Sequence, residues 1–403
     1  MDRMSWFFAI LVLLGSCHSG TRSTIAGIER LMDSLQKVYA PDPRIEYWEF
    51  SVTESEGNIT LEGEVANEAA YRVIVESMTG HYPEADIRVR LLPEKYPGQF
   101  VNGLVNNSVS HLRSGPSDRT EMVSQVLLGT PVRILKEKKG WRFIQTPDGY
   151  LGWVNDSEVQ PVDTLYLHEL LESEKVIYTE PYGFSFSDPD AQTMPVSDLV
   201  AGCILRVLGE ENGFYRVEYP DRRIGWVNKE KTTGAEHIFN RLPSGEEIVK
   251  SALRFNGIPY MWGGKSSKAF DCSGLTSFVY YMNGMSLPRD ASQQSLCGKA
   301  ITDVYDSHPL LPGDLLFFGE KSTGSQPERV SHVALYIGNG EFIHASGYRD
   351  RVGINSMDST QDNYIKEYPG AFVRAVRITG EENSADCLIA ENRYFREIFK
   401  ETE

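Results

Sequence analysis

The stretch AFDCSGLTSFVYYMNG, residues 269–284, decides how the rest of this chain is read. Leu275, Phe278, Val279 and Met282 fall at helical spacing, which predicts a helix with one buried stripe. Cys272 lies on that stripe but in the first turn. There the unpaired N–H groups and the positive end of the helix dipole favour a thiolate. A free thiol has a pKa of ~8.5, and this position beside a histidinium lowers it. Asp271 works against that, because an adjacent carboxylate disfavours a second negative charge. It either caps the helix or binds a cation of a substrate. Cys272 is a nucleophile if a base reaches it, and a small buried hydrophobe if none does.

The chain holds eight histidines. His18, His81, His111 and His168 lie far upstream, His237 lies in a linker and His308 in a loop. His332 and His344 remain, in SHVALYIGNGEFIHASG, residues 331–347. Two alternating runs around Gly-Asn-Gly predict a hairpin. A plain two-residue turn at Asn339-Gly340 sets the histidines on opposite faces. A three-residue loop or a bulge at a glycine sets them on one face. Val333, Leu335 and Ile337 must share the core face with Ile343 and Ala345, so the odd loop is expected. His332 then takes the thiol proton, and His344 holds its other ring nitrogen as the third member of a triad.

At 403 residues the chain exceeds one ordinary core. It is 41% hydrophobic and 24% charged, with 35 glycines and 20 prolines, which favours short strands and turns in a folded protein. A net charge of -16 without a Lys/Arg-rich run excludes nucleic acid as the main partner. The start, MDRMSWFFAILVLLGSC, has Arg3, an apolar stretch over 6–14 and small residues before Cys17. The stretch is shorter than the roughly 20 residues that span a bilayer, so it reads as a secretory signal. LLGSC resembles a bacterial lipobox, which implies lipidation of Cys17 and a mature protein tethered to a membrane outside the cytoplasm. A plain signal peptide or a buried apolar N-terminus is the alternative. The remaining cysteines, Cys203, Cys272, Cys297 and Cys387, have no CxxC spacing, so neither a disulfide framework nor a thiolate metal site is indicated. One bridge among Cys203, Cys297 and Cys387 stays open.

Two stretches repeat one another. LLGTPVRILKEKKGWRFIQTPDGYLGWVN (127–155) matches LVAGCILRVLGEENGFYRVEYPDRRIGWVN (199–228), with Gly129 on Gly202, Gly140 on Gly213 and Trp153 on Trp226. Alternating runs between Gly and Pro-Asp turns predict two small antiparallel barrels with the tryptophans in their cores. The closing GWV resembles bacterial SH3-like domains. Upstream, two helical stretches alternate with ITLEGEV and ADIRVRLLP, a small α+β domain that bears a resemblance to BON-like domains. The expected order is a signal over 1–16, an N-terminal α+β domain over 17–104, SH3-like domains over 105–162 and 163–234, the catalytic domain over 240–380 and a tail over 381–403.

GIPYMWGGKSSKAFDCSGL (257–275), LPRDASQQ (287–294), LLPGDLLFF (310–318) and the histidine hairpin together resemble the NlpC-type, papain-like cysteine peptidases of bacterial cell-wall peptides. That resemblance implies an α+β papain-like catalytic domain with Cys272 as nucleophile, His332 as base and His344 as third residue. Two SH3-like domains in front further resemble the γ-D-glutamyl-L-diamino-acid endopeptidases, which cut L-Ala-γ-D-Glu-L-Lys or -diaminopimelate and require a free N-terminal alanine. By the same resemblance Asp271 and Ser273 face the substrate amine and Tyr260 lines its pocket. Glu121 and Tyr150 are the first barrel's contribution. Arg289 either neutralises the D-Glu α-carboxylate or pairs with Asp290, and Ser292 stands one place beyond the family's serine. No metal or cofactor is needed for such acyl transfer. The rival readings are a hydrolase of polymeric wall, an amidase or acyltransferase on the same fold, and a non-catalytic wall-binding lipoprotein.

Overall fold

A computed structural model describes residues 21–94, 100–301, 310–380 and 387–389. Cys17 and the leader lie outside the described residues, as does most of the tail. The chain divides into two units, 1–92 and 93–403.

In the first unit α1 (Thr21–Tyr39) precedes β1 (Trp48–Ser55), β2 (Asn58–Val65), α2 (Glu68–His81) and β3 (Asp86–Leu91). β1 and β2 form an antiparallel hairpin, and β3 joins β2 in parallel after the α2 crossover. Asn67 caps α2 by accepting from the Ala70 N–H. Ile28, Met32, Leu61, Val65 and Ile74 form the core between helices and sheet.

The second unit begins with two seven-stranded barrels. The first comprises β4 (Asn102–Val105), β5 (Val109–Arg113), β6 (Met122–Leu127) and β7 (Pro131–Lys138), then β8 (Trp141–Gln145), β9 (Leu151–Asn155) and β10 (Val159–Val162). After α3 (Thr164–Glu172) come β11 (Lys175–Tyr178), β12 (Gly183–Phe186), β13 (Pro195–Leu199) and β14 (Ile204–Glu211). β15 (Phe214–Glu218), β16 (Ile224–Asn228) and β17 (Thr232–Gly234) complete the second. The strand orders are β6-β5-β9-β8-β7-β4-β10 and β13-β12-β16-β15-β14-β11-β17, the same topology shifted by seven strands. The repeat read from the sequence is thus a repeat of architecture. The turns correspond as well: Lys139-Gly140 and Asn212-Gly213 both take positive φ, which keeps the hairpin twist. Trp153 is buried against Phe143, whereas Trp226 is only half-buried, so the expectation of a core tryptophan holds for the first barrel alone.

α4 (Ala235–Phe239) leads into the catalytic domain, and α5 (Gly245–Leu253) opens with the Ser244/Glu247 capping box. The short hairpin β18 (Lys265–Ser266) and β19 (Ala269–Phe270) runs into α6 (Cys272–Tyr281) and then α7 (Ala291–Gln294). A six-stranded antiparallel sheet follows, built from β20 (Lys299–Ile301), β21 (Leu315–Glu320), β22 (Arg329–Gly338), β23 (Glu341–Ser346) and β24 (Arg351–Ser356). α8 (Glu367–Ala371) precedes its last strand, β25 (Phe372–Arg377), and the order is β20-β25-β21-β22-β23-β24.

α6 lays Leu275, Phe278 and Val279 on Val333, Leu335, Ile343 and Ala345 of β22 and β23. The same core takes in Leu127 and Leu128 of the first barrel and Leu199, Val200 and Cys203 of the second. The second barrel's interior is therefore continuous with that of the catalytic domain, while the first barrel keeps its own core around Val132, Ile134 and Ile144 and joins through Leu127 and Leu128. At the helix start, Gly274 leaves no room for a side chain: a Cβ would fall 1.9 Å from the Gly264 carbonyl oxygen. Gly274→Ala is expected to cost about 2 kcal/mol or more, because backbone must move to admit it. A urea denaturation curve checks this.

Candidate active site

Asp271 is the N-cap of α6, and Cys272 is its first residue. The Asp271 carboxylate accepts from the Gly274 N–H at 2.7 Å and the Gly263 N–H at 2.9 Å. Gly263 can present its N–H there because it adopts φ +76°, a conformation glycine takes without strain. Arg289, fully buried, closes on the same carboxylate through Nη1 at 3.1 Å and Nη2 at 2.6 Å. Arg289 also donates to Ser273 Oγ at 3.0 Å and to Ser124 Oγ of β6 at 2.9 Å.

This changes two expectations. The sequence reading gives Asp271 a substrate ammonium to bind, but its oxygens are occupied by two backbone donors and a bidentate guanidinium. Its charge is met within the protein. Arg289 correspondingly pairs with Asp271 and not with Asp290, and a guanidinium so neutralised has little left for a substrate carboxylate. Burial opposes the charge on Arg289, yet the Asp271 carboxylate holds its pKa above the usual arginine value. Ser273 is buried and faces this ion pair, through Arg289 and, at 3.4 Å, Asp271 itself. Ser292 lies in α7, where its carbonyl accepts from the Ser295 hydroxyl.

The Cys272 thiol lies against the Val333 N–H, at the peptide that joins His332 to Val333. The histidines come from adjacent strands. β22 and β23 pair Leu335 with Ile343 and Tyr336 with Phe342, then Gly338 with Glu341. Ile337 is the extra residue, a bulge that keeps the two-residue Asn339-Gly340 turn with both residues at positive φ. The bulge, and not a longer loop, sets His332 and His344 on one face.

His332 Nε2 is 2.7 Å from His344 Nδ1, and His344 Nε2 is 3.0 Å from Asn355 Oδ1 of β24. Asn355 Nδ2 donates to the Asn363 carbonyl, which orients the amide with its oxygen toward His344. The hydrogen-bond network then assigns the tautomers. His344 carries its proton on Nε2 and accepts at Nδ1, His332 donates from Nε2, and His332 Nδ1 is left as the basic nitrogen. The Tyr368 hydroxyl lies 3.3 Å from the same His344 Nδ1. Asn355 and Tyr368 escape the sequence reading, since neither sits in a motif and both depend on which segments flank β23.

Burial, then the Asp271 carboxylate, push the Cys272 thiol up to about 11, against the opposing pull of the Val333 N–H and Arg289. Burial also lowers His332 to about 3, with the His344 charge adding to it, and lowers His344 to about 4 despite its bond to Asn355. Burial thus favours a neutral thiol beside neutral imidazoles before substrate binds, and so opposes the helix dipole, which favours the thiolate. Proton transfer from Cys272 to His332 creates both charges together.

The depressed imidazoles fix a pH dependence. Unfolded histidine protonates below pH ~6.5, while the folded rings stay neutral to much lower pH. The unfolded state then binds more protons, so stability falls as the pH drops from about 6.5 toward 4. The shift of His344 from 6.5 to about 4 corresponds to a loss on the order of 3 kcal/mol. Urea unfolding at pH 7 and pH 4.5 is expected to show a smaller acid loss in His344→Gln than in the parent.

The first barrel supplies a wall of the site. Tyr150 is buried and its hydroxyl donates to Asp290 at 3.2 Å. Glu121 is exposed and accepts from Trp262 Nε1 at 2.7 Å. Lys265 ties the wall down by pairing with Asp148 and donating its N–H to Gln125 Oε1 at 2.9 Å. Tyr260 stands near the nucleophile, its phenol pushed up to about 12 by burial and by the negative charges possible at Cys272 and Asp271. Trp262 joins this cluster without a sequence signal, and Asp290 joins it as the partner of Tyr150 and not of Arg289. Both lie in quoted motifs, and only the docking of the barrel reveals their partners.

A cysteine at a buried helix start, backed by a hydrogen-bonded histidine pair on a neighbouring sheet, defines a cysteine peptidase of papain-like architecture. Residues 257–370 match the NlpC/P60 family, and residues 112–159 match the bacterial dipeptidyl-peptidase SH3 domain. The chain is 30% identical over 273 residues to a gamma-D-glutamyl-L-lysine dipeptidyl-peptidase of Bacillus cereus, across 63% of this chain and 76% of that protein. It is 29% identical to dipeptidyl-peptidase 6 of Lysinibacillus sphaericus, across 66% of this chain and 96% of that protein. The crystal structure of an NlpC/P60 family protein from Bacillus cereus has the same fold, with a TM-score of 0.59 at 24% identity, covering 69% of this chain and all of that one. The chain belongs to the NlpC/P60 family.

Proposed function

We propose that the protein hydrolyses the γ-D-glutamyl–L-diamino acid bond of cell-wall peptides that carry a free N-terminal L-Ala, in muropeptide degradation or recycling. The observation that carries this reading is the barrel wall. Tyr150–Asp290 and Glu121–Trp262 stand beside the nucleophile's helix, where a short peptide would end and a continuous polymer would have to pass. A buried ammonium must meet a carboxylate. With Asp271 committed to Arg289, Asp290 and Glu121 are further carboxylates on this side of the site, held by Tyr150 and Trp262. The relatives named for γ-D-glutamyl-L-lysine cleavage support the choice of bond.

The chemistry is acyl transfer. As the Cys272 sulfur attacks the γ-carbonyl carbon of D-Glu, its proton passes to His332 Nδ1. Backbone N–H groups at the start of α6, that of Cys272 among them, hold the oxyanion. Collapse breaks the C–N bond, and His332 returns the proton to the departing amine. His332 then deprotonates a water that attacks the thioester, which frees L-Ala-γ-D-Glu and restores the thiol. His344, fixed by Asn355, steadies the imidazolium through the shared hydrogen bond. The lipobox-like LLGSC supports a mature chain tethered outside the cytoplasm through Cys17.

Incubation with L-Ala-γ-D-Glu-diaminopimelate, its N-acetylated form and intact wall, read by mass spectrometry, tests the reading. Cleavage of the free-amine tripeptide at least about 100-fold faster than of the acetylated one is expected, since acetylation removes the ammonium that a carboxylate of the site would pair with. Release from intact wall with the free tripeptide ignored would establish a polymer hydrolase instead. Cleavage of bonds other than γ-glutamyl ones would favour the amidase or acyltransferase reading.

A further inference from the structure

The turn after β23 carries an arginine that the mechanism above does not use. Residues 347–350 connect β23, which holds His344, to β24, which holds Asn355. The turn is pinned at both ends. The Arg349 N–H donates to the Ser346 carbonyl at 3.2 Å, and the Tyr260 N–H donates to the Asp350 carbonyl at 2.8 Å. Gly347 lies against the Tyr260 ring, 3.5 Å from where a Cβ would stand. The turn therefore reaches from the histidine strand to the tyrosine beside Cys272, along one rim of the site.

Arg349 is exposed on this rim and has no ion pair among the described residues, in a chain with 56 Asp and Glu against 40 Lys and Arg. Its charge is felt by His344 and by Tyr368, on the imidazole side of the nucleophile. In acyl transfer the imidazole must reach the departing amine, so the departing group occupies that side.

The geometry points to Arg349 as the anchor for a carboxylate of the departing diamino acid, a specificity residue that rests on the γ-glutamyl reading above. Two carboxylates qualify: the α-carboxylate of a C-terminal diamino acid, and the distal carboxylate that diaminopimelate has and lysine lacks.

The test compares kcat/KM of the full chain and of Arg349→Gln and Arg349→Lys on three peptides: L-Ala-γ-D-Glu-L-Lys, its C-terminal amide, and L-Ala-γ-D-Glu-diaminopimelate. Preference by the parent for the acid over the amide identifies the α-carboxylate. Preference for diaminopimelate over lysine identifies the distal one. In either case the preference is expected to be about 10-fold or more, to vanish in Arg349→Gln through a raised KM, and to survive in part in Arg349→Lys. Equal rates on all three peptides in the parent, or a uniform loss on all three in Arg349→Gln, overturn the assignment while leaving the γ-glutamyl activity intact. A parent that cuts none of them overturns that activity and this inference together.

Discussion

Cys272→Ala is expected to lower kcat/KM on the tripeptide by about 10⁴-fold or more while leaving the thermal unfolding midpoint nearly unchanged. Removing the nucleophile of a triad leaves only binding and oxyanion stabilisation, and these cannot replace the covalent step. The fold loses little, since the side chain is half-buried and contributes one small thiol to a large core. Cys203 and Cys387 are buried, and burial raises the Cys203 thiol to about 12, so neither can substitute. Cys297→Ala serves as the matched control and is expected to retain full activity. A Cys272→Ala protein with undiminished biological activity would favour a non-catalytic wall-binding role.

Arg289→Met is expected to destabilise the protein by about 3–5 kcal/mol. It strands the Asp271 carboxylate in the interior, and a buried charge without its partner costs that much. The double variant Asp271→Asn/Arg289→Met is expected to recover most of the loss, because an amide oxygen can still accept from Gly274 without bearing a charge. Such a recovery identifies the stranded charge, and not lost packing, as the cause. The single variant is also expected to react with iodoacetamide more slowly, since Arg289 offsets part of the field by which Asp271 raises the thiol. A loss below about 1 kcal/mol in Arg289→Met would mean that Asp271 is satisfied by its backbone donors alone.

The periodicity of residues 275–282 is enough to predict α6 and its buried stripe, and thereby to place Cys272 at a helix start. The histidine face follows from a packing requirement, since two apolar sets in one hairpin must meet one core. What the pattern leaves open is the means, a bulge at a glycine or a longer loop, because both change the register by one; the structure instead bulges at Ile337. The paired barrels are legible because a repeat carries its topology with it. Long-range polar contacts are not legible. Asp271 reads as a substrate ligand while the backbone of Gly263 and the guanidinium of Arg289 are out of view. Asn355 has no signature apart from the strand order that brings β24 beside β23. The balance of charge at Cys272 is not legible for a related reason: the helix dipole is a local feature, whereas desolvation depends on the whole surround.

Catalysis stands on sulfur attack assisted by His332. Its most direct test is the intact mass of protein quenched in acid during turnover of L-Ala-γ-D-Glu-diaminopimelate, followed by peptide mapping. One L-Ala-γ-D-Glu acyl unit on Cys272, absent from His332→Ala treated in the same way, is the expected result. An acyl unit on another residue, or steady hydrolysis by Cys272→Ala, would contradict it.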